Sequence, residues 1–257
     1  DCEFFFFFLV KDVIAPADRE VLVAHKLDSF EALWALELEA VDEPNTERGG
    51  YSTVSRLQLG EHAYYLKRQS NHLTRSLRHP FGEPTFAREL RNIEHYRQLG
   101  IPALQAAFFA QRRLAGKQCA ILLTRALDGW RDLDSWLRDW PSHPAAQRLA
   151  IVQACGELAR RLHEARQVHG CFYPKHIFLR EQADGFQAQL IDLEKTRGLW
   201  FGQRDRIKDL EPLLRRAGAW SEAEVSTLLL AYVQTNEQLP AWRQRLDARQ
   251  RNKEMRR

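Results

Sequence analysis

The chain has 257 residues and a mass of 30.0 kDa, room for one or two domains rather than a repeat array. Hydrophobic residues at 44% and charged residues at 28% point to a soluble globular protein with a sizeable core. The net charge of +4 is too small to require a nucleic-acid partner, and residues 240–257 alone carry +5, so everything before that tail is nearly neutral.

The longest apolar run, residues 4–10, is far short of the roughly 20 residues that span a bilayer. It also lacks the basic start and small-residue cleavage site of a secretory signal, and reads as a buried strand or helix edge, with a membrane-dipping patch as the alternative. The chain opens on Asp1 rather than Met, as a fragment would. Residues 29–39 place Phe30, Leu33, Trp34 and Leu38 at helical spacing, with Ser29 as N-cap. After a break at residues 42–45, two strands over 51–59 and 62–68 form a hairpin turning at Gly60-Glu61. Residues 69–85, polar and basic with two prolines, read as a loop. A helix then starts at a Thr85 cap, with Phe86, Leu90, Ile93 and Arg97 on one stripe, and ends at Gly100 and Pro102.

Residues 118–123 form a short apolar strand, and residues 126–131 a crossover. A long amphipathic helix over 147–165 is built on Leu149, Val152, Cys155, Leu158, Ala159 and Leu162. A second hairpin joins residues 177–180 to 187–193 through Asp184-Gly185, and helices follow from Ile207. Strands come first and helices later, an α+β layout in two unequal lobes. The expected divisions are residues 1–45 as an N-terminal extension, 46–125 as the smaller β-rich lobe and 126–257 as the larger helical one with its basic tail. Four cysteines (Cys2, Cys119, Cys155, Cys171) without a CxxC pair suit a reducing compartment.

Several residues stand out against this background. Lys67 is one of only eight lysines beside thirty arginines, and ends an apolar strand, sharing a face with Tyr65 and Ala63. Taken alone, it reads as a strand-end lysine in water. Glu89 falls on or beside the helical stripe, where a carboxylate needs a partner or an outlet to solvent. Lys67 and Glu89 each supply what the other lacks. Asp192 ends the strand of the second hairpin; with residue 184 at the turn, it pairs with His176, and a divalent cation could bridge the two. Gly49 and Gly50, followed by Ser52 where a third glycine would stand, allow a backbone to approach phosphate oxygens.

These features occur in the order of the protein-kinase signature: phosphate loop, strand lysine, helix glutamate, a run from His169 to His176 in place of the catalytic loop, then a metal-binding aspartate. The segments Arg48-Gly49-Gly50-Tyr51-Ser52, Tyr65-Leu66-Lys67-Arg68-Gln69, Arg88-Glu89-Leu90-Arg91-Asn92-Ile93, Tyr173-Pro174-Lys175-His176-Ile177-Phe178-Leu179 and Ile191-Asp192-Leu193-Glu194-Lys195 resemble the bacterial lipopolysaccharide-kinase (InaA) family over residues 29–235. The resemblance implies a bilobal kinase-like fold, ATP and Mg2+ as ligands, and phosphorylation of a core sugar of lipopolysaccharide or a lipid-linked precursor. The expected location is cytoplasmic, with peripheral contact at the inner face of the inner membrane as an alternative. Lys67 would hold the α/β-phosphates, Glu89 would hold Lys67, Asp192 and His176 would bind magnesium, and the three groups 67, 89 and 192 would converge on a triphosphate between the lobes. Asp209 resembles the helix aspartate that steadies the catalytic-loop backbone, and reads equally as a cap before Leu210.

One position departs from the kinase pattern. Cys171 stands where a kinase has its catalytic aspartate, and a thiol at its ordinary pKa near 8.5 accepts a proton poorly. Glu194 or Asp205 could serve instead, or Cys171 could ionise beside Lys175 or His169. The remaining alternative is a nucleotide-binding pseudokinase with a regulatory or scaffold role. The basic tail reads as a solvated helix end or as an electrostatic contact with anionic lipid. Lys67, Arg68, Arg75 and Arg78 could likewise contact phosphorylated glycolipid.

Overall fold

In a computed structural model, the structure describes residues 12–41, 43, 46, 50–71, 73–74 and 83–255. The Phe run, Gly49, Arg75 and Arg78 lie outside the described residues. The chain divides into two compact units, residues 1–95 with 104–128, and residues 96–103 with 129–257.

In the first unit, β1 (Val13–Ile14) leads into α1 (Arg19–Ala24) and α2 (Phe30–Trp34), the latter capped by Ser29 Oγ accepting the Ala32 N–H at 3.2 Å. The expected helix over 29–39 stops at Trp34. Arg68 supplies the reason, because its guanidinium donates to the Trp34 and Leu36 carbonyls at 3.0 and 2.6 Å, taking acceptors a longer helix would use. That use also removes Arg68 from the free basic cluster. The chain then runs beside β2, with Val41 N–H donating to Val54 O.

β2 (Tyr51–Leu59) and β3 (His62–Ser70) form the expected hairpin, two residues longer in its second strand, and Gly60 takes a left-handed φ of 61° at the turn. Part of the expected loop is extended: β4 (Leu73–Thr74) pairs with β5 (Glu83–Pro84). α3 (Thr85–Leu99) follows. β6 (Ala106–Leu114), which sequence patterning did not single out, pairs with β7 (Lys117–Arg125), and the antiparallel sheet runs β2-β3-β7-β6-β1. One sheet face packs Tyr64, Leu66, Phe108, Ile121 and Leu123 against Leu22, Phe30 and Leu33 of α1 and α2. By strand alternation, Lys67 points to the other face.

The second unit begins with the last turn of α3. Leu190 N–H donates to Pro102 O at 3.1 Å, tying the helix exit to a hairpin strand. β8 (Arg131–Asp132), α4 (Leu133–Arg138) and α5 (Ala145–Glu164) follow. On α5, Ile151, Val152, Cys155, Leu158, Ala159 and Leu162 are buried, whereas the expected stripe residue Leu149 is exposed. β9 (Gln167–Val168) precedes the hairpin of β10 (Ile177–Gln182) and β11 (Gly185–Leu190), and β10 also pairs with β8. β12 (Arg197–Gly198) pairs with β9; α6 (Gly202–Arg216), α7 (Glu222–Val233) and α8 (Leu239–Glu254) complete the unit. Gly156 lets α5 meet α7 closely, since a Cβ there would overlap the Leu228 carbonyl.

The basic tail is α8, and much of its charge is used internally. Arg243 pairs with Glu222 at 2.7 Å and Asp247 at 3.2 Å, while Lys253 and Arg249 approach the buried Glu211 at 3.0 and 3.9 Å. Among the described residues, no helix is long and apolar enough to cross a membrane.

Candidate functional site

In the first unit, strand β3 and helix α3 position one set of candidate site residues. Lys67 lies opposite Val54 on one side and Leu122 on the other. Two residues along, on the same face, fully buried Gln69 accepts the Phe86 N–H through Oε1 at 2.8 Å, fixing the first turn of α3 to the strand. One turn on, Glu89 comes round, and Lys67 Nζ donates to Glu89 Oε1 at 2.6 Å. The buried stripe of α3 is Phe86, Glu89, Ile93 and Tyr96; Leu90 is half-buried and Arg97 is exposed, which corrects the expected stripe. Glu89 belongs in that stripe because Lys67 neutralises it. The side chain of Lys67 keeps 18% of its exposure against 5% for Glu89, so a buried carboxylate orients an ammonium whose other donors can meet an anion. Ser52 is half-buried in β2 opposite Gln69, and Gly50 directly precedes that strand.

In the second unit, a separate set lies between β9 and the turn after β11. Asp209, buried in the middle of α6, accepts the backbone N–H groups of His169 at 2.8 Å and Gly170 at 2.9 Å, together with His163 Nε2 at 3.1 Å. It therefore grips the loop backbone; the reading as a cap before Leu210 falls. Burial alone would raise its pKa, but the His163 hydrogen bond, the nearby imidazoles and the His169 N–H prevail and hold the carboxyl below its ordinary range. Gly170 has a φ of 80°, and a Cβ there would stand 2.7 Å from Lys195 O, so no other residue fits without displacement.

The two loop histidines each have a tautomer set by backbone partners. His169 Nε2 donates to Ile191 O at 2.9 Å, leaving Nδ1 to accept the Cys171 N–H at 3.3 Å. His176 Nδ1 donates to Cys171 O at 2.8 Å, so Nε2 carries the lone pair of the neutral ring, and it stands 3.2 Å from Asp192 Oδ2. Burial lowers the pKa of His176, against the opposing pull of the Cys171 carbonyl and Asp192. A lone pair facing a carboxylate at this distance is reconciled by a proton or a metal ion. Among the described residues no cluster of three or more His, Cys, Asp or Glu side chains forms a metal cage. A divalent ion here would therefore complete its shell with phosphate oxygens and water, the habit of magnesium.

The pairing of His176 with Asp192 arises differently from the expected register. Ile177 faces Leu190, and Ile191 N–H donates to His176 O at 3.0 Å, so the backbone partner of His176 is Ile191. The hairpin turns at residues 183–184, one half-step earlier than expected. Asp192 then leaves the strand in a left-handed conformation (φ 59°, ψ 65°), which brings its carboxylate to the imidazole.

Cys171 is buried, and its backbone is held at both ends, by His169 at its N–H and by His176 and the Tyr173 N–H (2.8 Å) at its carbonyl. Both nitrogens of His169 are engaged away from the thiol, and Lys175 is exposed. Asp205 takes two guanidinium bonds from Arg197 (2.8 and 2.9 Å) and the N–H groups of Trp200 (2.9 Å) and Phe201 (3.0 Å). The Arg197 bonds lead in holding its carboxyl well below the usual range, and its lone pairs are occupied, so it is a loop anchor and a poor base. Glu194 is half-buried in the short turn after Asp192.

The geometry joins Lys67 to Glu89 in the first unit and His176 to Asp192 in the second; Gly49 lies outside the described residues. Sequence reasoning missed Gln69 and His163. The strand period of two from Lys67 pointed to Gln69, and His163 adjoins the buried Leu162 on α5. Comparison with known proteins extends this picture. The profile of the lipopolysaccharide kinase (Kdo/WaaP) family matches residues 31–232. Over 177 residues the chain is 31% identical to Protein InaA of Escherichia coli (strain K12), which covers 68% of this chain and 82% of that protein. It is also similar to the solved structure of WaaP in complex with acyl carrier protein, at a TM-score of 0.69 and 22% identity, covering 95% of this chain and 98% of that one. That structural likeness concerns the fold, an α+β kinase-like fold with one sheet-rich and one helical region. Taken with the ordered motifs, the matches establish that this chain belongs to the Kdo/WaaP family of lipopolysaccharide kinases.

Proposed function

We propose that the protein is an ATP-dependent phosphotransferase acting on a sugar hydroxyl of the lipopolysaccharide core, and the observation that carries this reading is the Lys67–Glu89 pair at 2.6 Å. An ammonium fixed by a buried carboxylate is suited to α/β-phosphate oxygens, to which the backbone of Gly50 and Ser52 at the start of β2 would add; Gly49 is expected in the same role from the sequence. His176 and Asp192 would hold magnesium, which when bound neutralises charge on the transferring phosphoryl group. Asp209, through the backbone of His169 and Gly170, would keep the catalytic loop at a fixed height. With Cys171 in the base position and Asp205 engaged elsewhere, transfer would rest on positioning and charge neutralisation, which dominate phosphoryl transfer.

The substrate half of the proposal is the core oligosaccharide or a lipid-linked precursor, met at the inner face of the inner membrane. The test is transfer of labelled γ-phosphate from ATP to extracted core oligosaccharide by the wild-type chain and by Lys67→Ala, Asp192→Ala and Cys171→Ser. Transfer by the wild type that Lys67→Ala and Asp192→Ala abolish is the expected result. The Cys171 thiol favours a second reading, a pseudokinase that binds nucleotide without turnover; magnesium- and ATP-dependent thermal stabilisation with no transfer to any core fraction would select it.

A further inference from the structure

We propose that Trp200 and Phe201, at the turn between β12 and α6, form a wedge that docks the protein on an anionic lipid surface. These two consecutive large side chains are 68% and 63% exposed, while the preceding Leu199 is buried. Among the described aromatic residues, Tyr51 alone shares such exposure, and two exposed rings on adjacent residues mark an interaction surface.

Their exposure is enforced by the fold. The buried Asp205 carboxylate accepts the backbone N–H of both residues, and the same carboxylate takes the guanidinium fork of Arg197. Arg197 in turn lies over the Trp200 ring at 5.1 Å. The turn is thus anchored from below by one acid, with both rings left outward. Further cations flank the two residues in sequence. Arg204 and Lys208, one helical turn apart on α6, are exposed, as is Lys195. Residues 194–208 hold five Lys/Arg against Glu194 and Asp205, a surplus of three positive charges, and Asp205 faces inward. Exposed aromatic residues within a basic segment match the chemistry of an anionic bilayer interface, where indole and phenyl rings settle at the headgroup level and cations meet phosphate.

The placement also suits a membrane-borne acceptor. Asp192 is eight residues before Trp200, so the two Cα atoms lie within roughly 28 Å of one another even along a fully extended chain. The inference deepens the glycolipid reading above. Its test reads binding alone, so an inactive chain can pass it and an active one can fail it.

The experiment is co-sedimentation of the full chain with vesicles of phosphatidylcholine, with and without phosphatidylglycerol. The wild type is expected to sediment with the anionic vesicles and far less with the neutral ones. Trp200→Ala with Phe201→Ala should weaken that binding about tenfold or more, and Arg204→Glu or Lys208→Glu about fivefold each. Unchanged thermal midpoints would show that these surface variants remain folded, and Trp200→Phe with Phe201→Trp should bind as the wild type does. The proposal is overturned if the wild type ignores anionic vesicles, or if the double alanine variant binds them equally well. It is also overturned if Arg245→Glu and Arg251→Glu on α8 abolish binding while the wedge variants do not, or if the wedge is needed only to hold a soluble acidic protein.

Discussion

Replacing Asp209 by Asn removes one charge and leaves a side chain of nearly the same shape, which isolates what the carboxylate does for the loop. In the native site Oδ2 accepts from His169 N–H and His163 Nε2, and Oδ1 accepts from Gly170 N–H. The amide oxygen can keep the first two, now as neutral hydrogen bonds, each weaker by about 0.5–1 kcal/mol than its charged counterpart. The amide NH2 must then face the Gly170 N–H, donor against donor in a buried site, at a cost of about 1–3 kcal/mol. The expected loss is about 3 kcal/mol, concentrated at the loop. Hydrogen–deuterium exchange read by mass spectrometry should show the peptide containing residues 169–171 opening about 100-fold more often, while peptides of β3 and β7 exchange as before. Protection at 169–171 equal to the wild type would refute the claim that Asp209 fixes this backbone.

Other outcomes follow from the same contacts. Glu89→Gln should lower kcat/KM for ATP about 10²-fold by releasing Lys67 from its position, with little change in thermal midpoint. Asp192→Ala should abolish the magnesium-dependent part of stabilisation by ATP, which for the wild type is about 2.7 kcal/mol at a hundred times Kd and is readable by thermal shift. Gly170→Ala should destabilise the second unit by about 2–3 kcal/mol in urea unfolding, from the left-handed backbone and the overlap with Lys195 O. Acid sensitivity has a definite sign. Asp205 is held below its ordinary pKa, so its contribution is present above about pH 4 and is lost as pH falls toward the folded value. Asp205→Asn should therefore cost about 3 kcal/mol at neutral pH and leave a shallower acid limb in a stability–pH profile.

The candidate site was legible where local chemistry was informative. The β2–β3 hairpin was marked by Gly60, the Lys67–Glu89 pair by two charges in apolar settings, and α5 by its 3.6-residue period. Other features depend on partners distant in sequence. α2 ends at Trp34 because Arg68, thirty-four residues on, takes its carbonyl. β6 was invisible because its run of Ala and Phe lacks the polar alternation of a half-exposed strand, residues 107–110 being buried where β6 pairs with β1 and β7. The hairpin length predicted that His176 and Asp192 meet, but the half-step in register and the left-handed backbone at Asp192 that bring the groups together are tertiary outcomes. The division of labour among acids was likewise hidden. Asp205 and Asp209 are four residues apart on one helix, yet one anchors the Trp200–Phe201 turn and the other the His169–Gly170 backbone.

The cation cluster on Glu211 bears on how the protein is made. This carboxylate is 1% exposed in α6 and meets Arg215 at 2.7 Å within its own helix, but Lys253 and Arg249 come from α8, about forty residues later. A ribosome delivers α6 well before those cations, so the helical unit must wait with a half-compensated acid until residue 253 has been translated. Premature termination upstream of α8 would release a product that a quality-control protease should recognise, whereas the last described strand of the sheet-rich unit is complete at residue 125, so that unit can settle during synthesis.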